Sequence, residues 1–419
     1  MINRNSLNFF ETFDKGRLFK PNYQNYSFAN IPSTIYYLLT GKKDGNILPR
    51  DCFGKDYPKP KKTVLFFIDA FGFKAWEKYY KNFEITQKIV DQGVLTPISA
   101  LFPSATAPSV SLINFGVPVL RHGIIEWYLY VKEYDNVIKS LPFRTLGYPD
   151  ISGLDLGYDP KFLTATSLNY YLMLNNRGIN SYRVMNEEIV DSVYNKLTEG
   201  SSKQISYSSL TGAFNSIKGV IEEKERSFVY FYWEGIDSAG HKFGPDSKEV
   251  EQEIDKFWSA FSKAFLNYKK DNDVLFLFVT DHGQIGIDPA KTFYLNLEIP
   301  ELKDYLKLRN NGEIIYPTGA CRDVMLHIKD ERVDGVLELL EQKLKGIAKV
   351  LKTSEAVEMG LFGPPPYDEE AIERLGEILI LPYGNNCVWW YEEGKLEVDK
   401  FGMHGGLSEQ EMLSVFGVW

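Results

Sequence analysis

Three aspartates and three histidines occupy four short stretches that share one local pattern. In FVYFYWEGIDSAGH an apolar, aromatic and β-branched run stops at Gly235, and Asp237 and His241 follow four residues apart. VLFFIDAFG carries Asp69, VLFLFVTDHG carries Asp281 and His282, and FGMHGG holds His404. The chain has five histidines, and three of them lie in these stretches. A buried strand that ends in a loop bearing carboxylates and imidazoles is a way for α/β enzymes to present metal ligands. Carboxylate oxygen and imidazole nitrogen together suit zinc, and Mn²⁺ accepts the same set. Two divalent cations ~4 Å apart can clamp the attacking and leaving oxygens of an in-line displacement at phosphorus. The nucleophile such a site needs is offered by Thr106 in PSATAPS, where a helix start sets backbone amides and the helix dipole beside a phosphate.

Taken singly, each piece has an ordinary reading. Asp69 alone is a turn or cap residue, Asp237 and His241 a chance surface pair, and Thr106 an N-cap. The combination, in this order and each time after a strand, points to hydrolysis of phosphate esters. His327 in VMLHI reads as a face residue of its strand, and His122 in LRHGI shapes a turn with Gly123. Trp127 and Trp233 read equally as substrate lining or as core.

The elements that position these residues alternate in type from Thr63 onward, which implies a mostly parallel sheet covered by helices on both faces. SATAPSVSLINFG starts a helix that Thr106 or Ser104 can cap, with Pro108 in its first turn. Residues 123–160 read as hairpin or loop, 166–177 as a helix, SYRVM as a short strand and 209–224 as a helix. In residues 247–271, Val250, Ile254, Phe257, Trp258, Phe261 and Phe265 recur at helical spacing. Residues 1–60 are polar and form an N-terminal extension on the core, with one helix at IPSTIYYLLTG. The rhythm changes at 295–375, where a strand at CRDVMLHIKD and an amphipathic helix over ERVDGVLELLEQKLKGIAKVL suggest an inserted α+β cap subdomain. The catalytic core is then 61–294 together with 376–419, the second part holding ILILPYG, VWWYE and the His404 loop.

Composition sets the outer limits. A 419-residue chain with 44% hydrophobic and 25% charged residues has room for a large core. A net charge of -9 argues against a nucleic-acid polymer as partner. It says little about a small phosphate ester or nucleotide, because metal charge dominates such a site locally. Three cysteines (Cys52, Cys321, Cys387) with no close pair in sequence give neither a disulfide framework nor a zinc knuckle. MINRNSLNFFETFDKG lacks the apolar run of a signal peptide, and no stretch reaches the ~20 apolar residues of a membrane span. The expectation is a cytoplasmic enzyme with reduced thiols and no membrane partner, its oligomeric state open.

The motifs IDAFG, FPSATAPSVSLINFGVPVLRHGI, YWEGIDSAGHKFGPDS, VTDHGQ and MHGGLSEQEM occur in the order of a known family. Over roughly residues 60–290 and 375–419 the chain resembles the type I phosphodiesterase/nucleotide pyrophosphatase branch of the alkaline phosphatase superfamily. The resemblance implies an alkaline-phosphatase-like α/β fold. It implies one zinc held by Asp237, His241 and His404, and a second by Asp69, Asp281 and His282 with Thr106 bridging it to phosphorus. It also implies a two-step path: Thr106 attacks in line to give a phospho- or nucleotidyl-threonine, which is then hydrolysed with net retention at phosphorus. The chain departs from the pyrophosphatase pattern at Ala105, where those enzymes carry Lys, and at Ser109, where they carry Asn. Asn114 stands one and a half turns further on and could supply that amide, which makes Ser109 and Asn114 candidate substrate contacts. A phosphomonoesterase or a manganese-using phosphomutase of the same superfamily is the alternative. The absence of a Cys-x-Pro-x-Arg sequence excludes a formylglycine sulfatase.

Overall fold

The computed structural model describes residues 1–146, 151–268 and 273–419. The expected hairpin region 123–160 and the helical stretch 247–271 each run partly outside the described residues. At the centre is a seven-stranded sheet. Its spatial order is Val94–Ser99, Leu413–Val418, Val274–Val279, Lys62–Ile68, Ser227–Trp233, Asn180–Asn186, Lys203–Tyr207. Neighbours from Val274–Val279 through Lys203–Tyr207 run parallel. Leu413–Val418 runs antiparallel to both of its neighbours.

The three central strands are buried along their whole length, so their side chains divide between two apolar layers by the two-residue period of a strand. On one face Leu65, Phe67, Phe228, Tyr230, Tyr232, Leu275, Leu277 and Val279 join a cluster with Ile35 of helix Ile31–Thr40 and Leu112 of helix Thr106–Phe115. On the other face Val64, Phe66, Ile68, Val229, Phe231, Phe276 and Phe278 meet Phe214 of helix Leu210–Glu222 and Phe257, Trp258 and Phe261 of helix Lys248–Phe265. Phe66 sits among the rings of Phe214, Phe231, Phe261, Phe276 and Phe278 at centroid distances of 5.1–6.3 Å. Burying one such ring contributes about 2–3 kcal/mol. Because the central strands are parallel, Asp69, Glu234 and Asp281 leave the sheet at the same edge.

The segments outside the sheet follow the sequence in part. Helix Ile31–Thr40 ends at Gly41, whose φ of 72° supplies the left-handed C-cap. Residues Tyr128–Val131, Asn136–Lys139 and Arg144–Thr145 form a three-stranded antiparallel sheet. Further along the chain, Val324–Leu326, Ile378–Pro382 and Ala348–Lys352 form another, with Ile378–Pro382 in the middle. A division at 375/376 therefore separates Ile378–Pro382 from the two strands it pairs with. The expected helix over 331–351 stops at Lys343. Gly346 takes a φ of 83° there, and the chain turns back as the strand Ala348–Lys352. Among the described residues, no helix is long and apolar enough to cross a membrane.

Candidate active site

The structure brings the six donor residues together at the carboxyl edge of the sheet, as two groups. In each of the groups Asp69, Asp281, His282 and Asp237, His241, His404, the donor atoms lie within 4.8 Å of one another. The groups adjoin, since the His282 and His404 rings stack with centroids 3.7 Å apart.

Asp69 follows the strand Lys62–Ile68 directly, and its carboxylate accepts from the Tyr232 hydroxyl at 2.6 Å. The next residue, Ala70, has a φ of 58°, a left-handed conformation that costs an alanine about 1 kcal/mol. This turn aims the Ala70 amide at Asp281 Oδ1, 3.2 Å away, and the His282 amide donates to the same oxygen at 3.0 Å. Strain is thus spent on orienting a carboxylate. Asp237 and His241 are not on a loop, as the stop of the apolar run at Gly235 suggested. They lie one turn apart on helix Gly235–Phe243. Gly240 lets that helix pack closely: a Cβ there would lie 1.8 Å from Gln284 Oε1. Gln284 in turn donates its Nε2 to Asp237 Oδ1 at 2.5 Å and to the Asp237 carbonyl at 3.0 Å. His404 follows the short strand Gly402–Met403, which pairs with Ile285–Gly286 just beyond His282.

The imidazoles state which nitrogen is available. Nδ1 of His241 faces the Gly402 carbonyl at 2.7 Å, that of His404 the Ser104 carbonyl at 3.2 Å, and that of His282 the Gly283 carbonyl at 3.0 Å. A carbonyl only accepts, so each Nδ1 carries the proton and donates, which leaves Nε2 as a lone pair turned inward. The Nε2 atoms of His241 and His404 then face each other at 3.2 Å, two acceptors with no proton between them. Asp237 adds carboxylate oxygens 3.3 Å from His241 Nε2 and 3.6 Å from His404 Nε2. In the other group, His282 Nε2 lies 3.2 Å from Asp281 Oδ2, an oxygen buried without a hydrogen-bond partner, and 3.6 Å from Asp69 Oδ1.

The electrostatics describe the same shortage of positive charge. Burial, then the charges of Asp281 and Asp237, raise the Asp69 carboxyl well above the ordinary range. Burial, then His282 and His241, hold the His404 imidazole well below its usual value, and burial likewise lowers His241. Asp281 and His282 behave oppositely: burial works against both charged forms, but their mutual attraction outweighs it, lowering the Asp281 carboxyl and raising the His282 imidazole. Two imidazoles with one carboxylate, and one imidazole with two carboxylates, both fit a divalent metal such as zinc or manganese.

Thr106 is the first residue of helix Thr106–Phe115. Neither Thr106 nor Ser104 caps that helix. The N-cap position belongs to Ala105, which has no side-chain acceptor, and the Ser104 hydroxyl donates to the Gly406 carbonyl at 2.6 Å. The first amides of the helix are therefore left for an anion. Thr106 Oγ1 lies 3.3 Å from Asp69 Oδ2 and 3.3 Å from His282 Nε2.

Thr106, Asp69, Asp237, His241 and His404 open on a cleft of about 680 Å³, together with Glu126, Trp127, Tyr128, Lys139, Trp389 and Lys400. Trp127 is thus cleft lining, whereas Trp233 is buried and stacked on Phe257 at 4.8 Å. Ser109 and Asn114 do not reach the cleft. Both are buried, and Asn114 is spent inside the core, where its Nδ2 donates to the Tyr194 hydroxyl at 2.9 Å and its Oδ1 accepts from Tyr171 at 2.6 Å. His122 and His327 lie outside both donor groups. Sequence reasoning missed Tyr232 and Gln284. A signal for each was present: Tyr232 shares a strand face with Phe228 and Tyr230 two residues before the strand's exit, and Gln284 follows Asp281-His282-Gly283 directly.

Comparison with known proteins supports this architecture. Human ectonucleotide pyrophosphatase/phosphodiesterase 5 is similar, with 18% identity and a TM-score of 0.62 over 85% of this chain and 87% of that one. The murine enzyme of the same name gives 17% and 0.61 over the same shares. Phosphonoacetate hydrolase from Sinorhizobium meliloti 1021, in complex with phosphonoformate, gives 17% and 0.60 over 87% of this chain and 91% of that one. At such identities the likeness establishes the fold, which is alkaline-phosphatase-like. The family itself rests on a separate match, a type I phosphodiesterase / nucleotide pyrophosphatase model that aligns with residues 63–407. Since that match spans most of the chain, the protein belongs to the type I phosphodiesterase / nucleotide pyrophosphatase family.

Proposed function

We propose that the protein hydrolyses phosphodiester or pyrophosphate bonds, with Thr106 as nucleophile. The proposal places two divalent cations, zinc or alternatively manganese, on Asp69, Asp281, His282 and on Asp237, His241, His404. The observation that carries the reading is the position of the Thr106 hydroxyl, 3.3 Å from both Asp69 and His282 at the start of an uncapped helix. When bound, the cations supply Lewis-acid stabilisation of phosphoryl charge and ease ionisation of the attacking oxygen. Asp69 and His282 hold the Thr106 hydroxyl toward the cleft. The amides that open its helix face the phosphoryl oxygens, where fixed dipoles favour the charge that develops on attack. Thr106 thereby becomes esterified to phosphorus, the leaving group departs, and water hydrolyses the threonyl ester with overall retention. Tyr232 and Gln284 keep the Asp69 and Asp237 carboxylates in place through both steps.

The aromatic and cationic wall of the cleft, with Trp127, Tyr128, Trp389, Lys139 and Lys400, suits a phosphate ester bearing a flat group. A nucleotide meets that description, and an inactive form of the murine relative has been solved with AMP. The test offers the metal-loaded protein bis-p-nitrophenyl phosphate, p-nitrophenyl thymidine monophosphate and p-nitrophenyl phosphate. Preference for the diesters is expected, and preference for the monoester moves the assignment to a phosphomonoesterase. Thr106→Ala is expected to lower kcat by roughly 10³-fold or more with metal content unchanged. Turnover near wild type in that variant removes Thr106 as the nucleophile.

A further inference from the structure

The sequence offers no close pair of cysteines, yet folding brings two of the three together. Cys321 and Cys387 are 66 residues apart in the chain, and their Sγ atoms stand 3.4 Å apart, both thiols free. Their backbones are neighbours as well. The Val388 amide donates to the Cys321 carbonyl at 3.1 Å, and the Asp323 amide closes the turn around Cys321 by donating to Ala320. The hydrogen bond from Val388 to Cys321 keeps the two segments adjacent, and joining the sulfurs requires about 1.4 Å of further approach to reach a disulfide's bond length.

The surroundings are neither a generic core nor an exposed loop. Cys321 lines the catalytic cleft, and Cys387 lies two residues from Trp389, which lines it too. The guanidinium of Arg322, next to Cys321 in the chain, donates to the carbonyl of Asn386, next to Cys387, and pairs with the buried Glu411 at 2.8 Å. Gly319 and Tyr128 exchange two backbone hydrogen bonds, and the Tyr128 ring lies 5.7 Å from that of Trp389. The Cys321 turn is thus the joint at which two pieces of the cleft wall, one carrying Tyr128 and the other Trp389, are fastened together.

We propose that Cys321 and Cys387 are a disulfide-forming pair, closed by exchange with a small-molecule disulfide that enters through the cleft. In the first step the Cys321 thiolate attacks one sulfur of the reagent, forming a mixed disulfide and releasing one thiol. The Cys387 thiolate then attacks Cys321 Sγ, forming the internal bond and releasing the second thiol. The protein loses two protons and two electrons, and the reagent's disulfide gains both as it becomes two thiols. Cys321 meets the reagent first because it borders the cleft. The neighbouring Cys387 thiol and burial both raise the Cys321 thiol, so exchange proceeds slowly and accelerates with pH. Cys52 is buried at another place in the fold and takes no part. The inference concerns the fold of the cleft wall and stands apart from the identity of the substrate.

The test titrates the folded, metal-loaded protein against mixtures of reduced and oxidised glutathione, quenches with acid, alkylates in denaturant and weighs the intact chain. The expected result is a single step from three alkylated cysteines to one, with no glutathione retained and a peptide map joining Cys321 to Cys387. The bridged form is expected to melt at a higher temperature, since the bond closes a long loop. Cys387→Ser is expected to stop at one glutathione on Cys321. Three alkylatable thiols in the wild type under the most oxidising mixture, while the urea-unfolded chain oxidises readily, would overturn the proposal. So would glutathione held stably on Cys321 of the wild type. Should the serine variant fail to fold, the wild-type thiol count decides alone.

Discussion

The two donor groups share a chemistry and differ in how the fold holds them. Asp69, Asp281 and His282 are at most 1% exposed and leave the ends of parallel strands. Asp237, His241 and His404 keep 12–14% of their side-chain surface and come from a helix and from the end of a short strand, Gly402–Met403, that pairs with the distant Ile285–Gly286. The inner group is built into the sheet, and the outer group is assembled by docking two surface elements. An uncompensated charge in the inner group has no water to fall back on, whereas the outer group can be solvated through the cleft. Occupancy of the inner group should therefore be coupled to folding, and occupancy of the outer group mainly to activity.

The sharpest way to break that distinction is to remove one imidazole from each group. His282→Ala is expected to lower kcat/KM by roughly 10³-fold or more and to lower the melting temperature as well. His241→Ala is expected to lower metal content by one equivalent while the melting temperature stays close to wild type. Metal analysis with scanning calorimetry checks both, and equal melting losses in the two variants would erase the difference between the groups. A smaller effect is expected at the residue that holds Asp69. Tyr232→Phe removes one hydrogen bond to the carboxylate, so metal affinity should fall by roughly 10–100-fold. In that variant kcat should recover at saturating metal. A deficit that persists there would assign the phenol a part in the reaction itself.

The smallest effect isolates the fold from both groups. His122 and His327 are buried outside them, and burial pushes each imidazole down to about 3. An unfolded histidine titrates near ~6.5, so below that pH the unfolded chain binds protons that the folded chain refuses. The stability these residues contribute is complete above about pH 6.5 and is lost steadily as the pH falls toward 3. Urea unfolding of metal-free protein at pH 7 and pH 5 should show that loss, and His122→Gln with His327→Gln should flatten it. An unchanged slope in the double variant would place the acid sensitivity in the donor groups instead.

Much of the site was legible because it depends on residue types at strand ends. Continuous apolar runs such as VLFFI and VLFLFV announce buried strands, and whatever follows them must emerge at one edge of a parallel sheet. What stayed hidden depends on partners distant in sequence. The stop of the apolar run at Gly235 made the segment after it look like a loop, although Gly240 lets a helix lie against Gln284 and Gly402 there. Asn114 looked available for substrate because nothing nearby in sequence reveals Tyr171 and Tyr194. Ala348–Lys352 continued a helical apolar pattern, and only its pairing with Ile378–Pro382 makes it a strand. Leu413–Val418 was not read as a strand at all, since its neighbours are the distant Val94–Ser99 and Val274–Val279.

That strand has a mechanical consequence. Among the described residues, Val94–Ser99 is hydrogen-bonded to the rest of the large sheet only through Leu413–Val418, and His404 lies nine residues before Leu413. If the strand peels away, two sheet edges open together and the segment carrying His404 slackens with them. Inactivation under mild stress should then track hydrogen exchange at the amides of Val94–Ser99, remote from the cleft, so that one zipper governs both the integrity of the sheet and the completeness of the site.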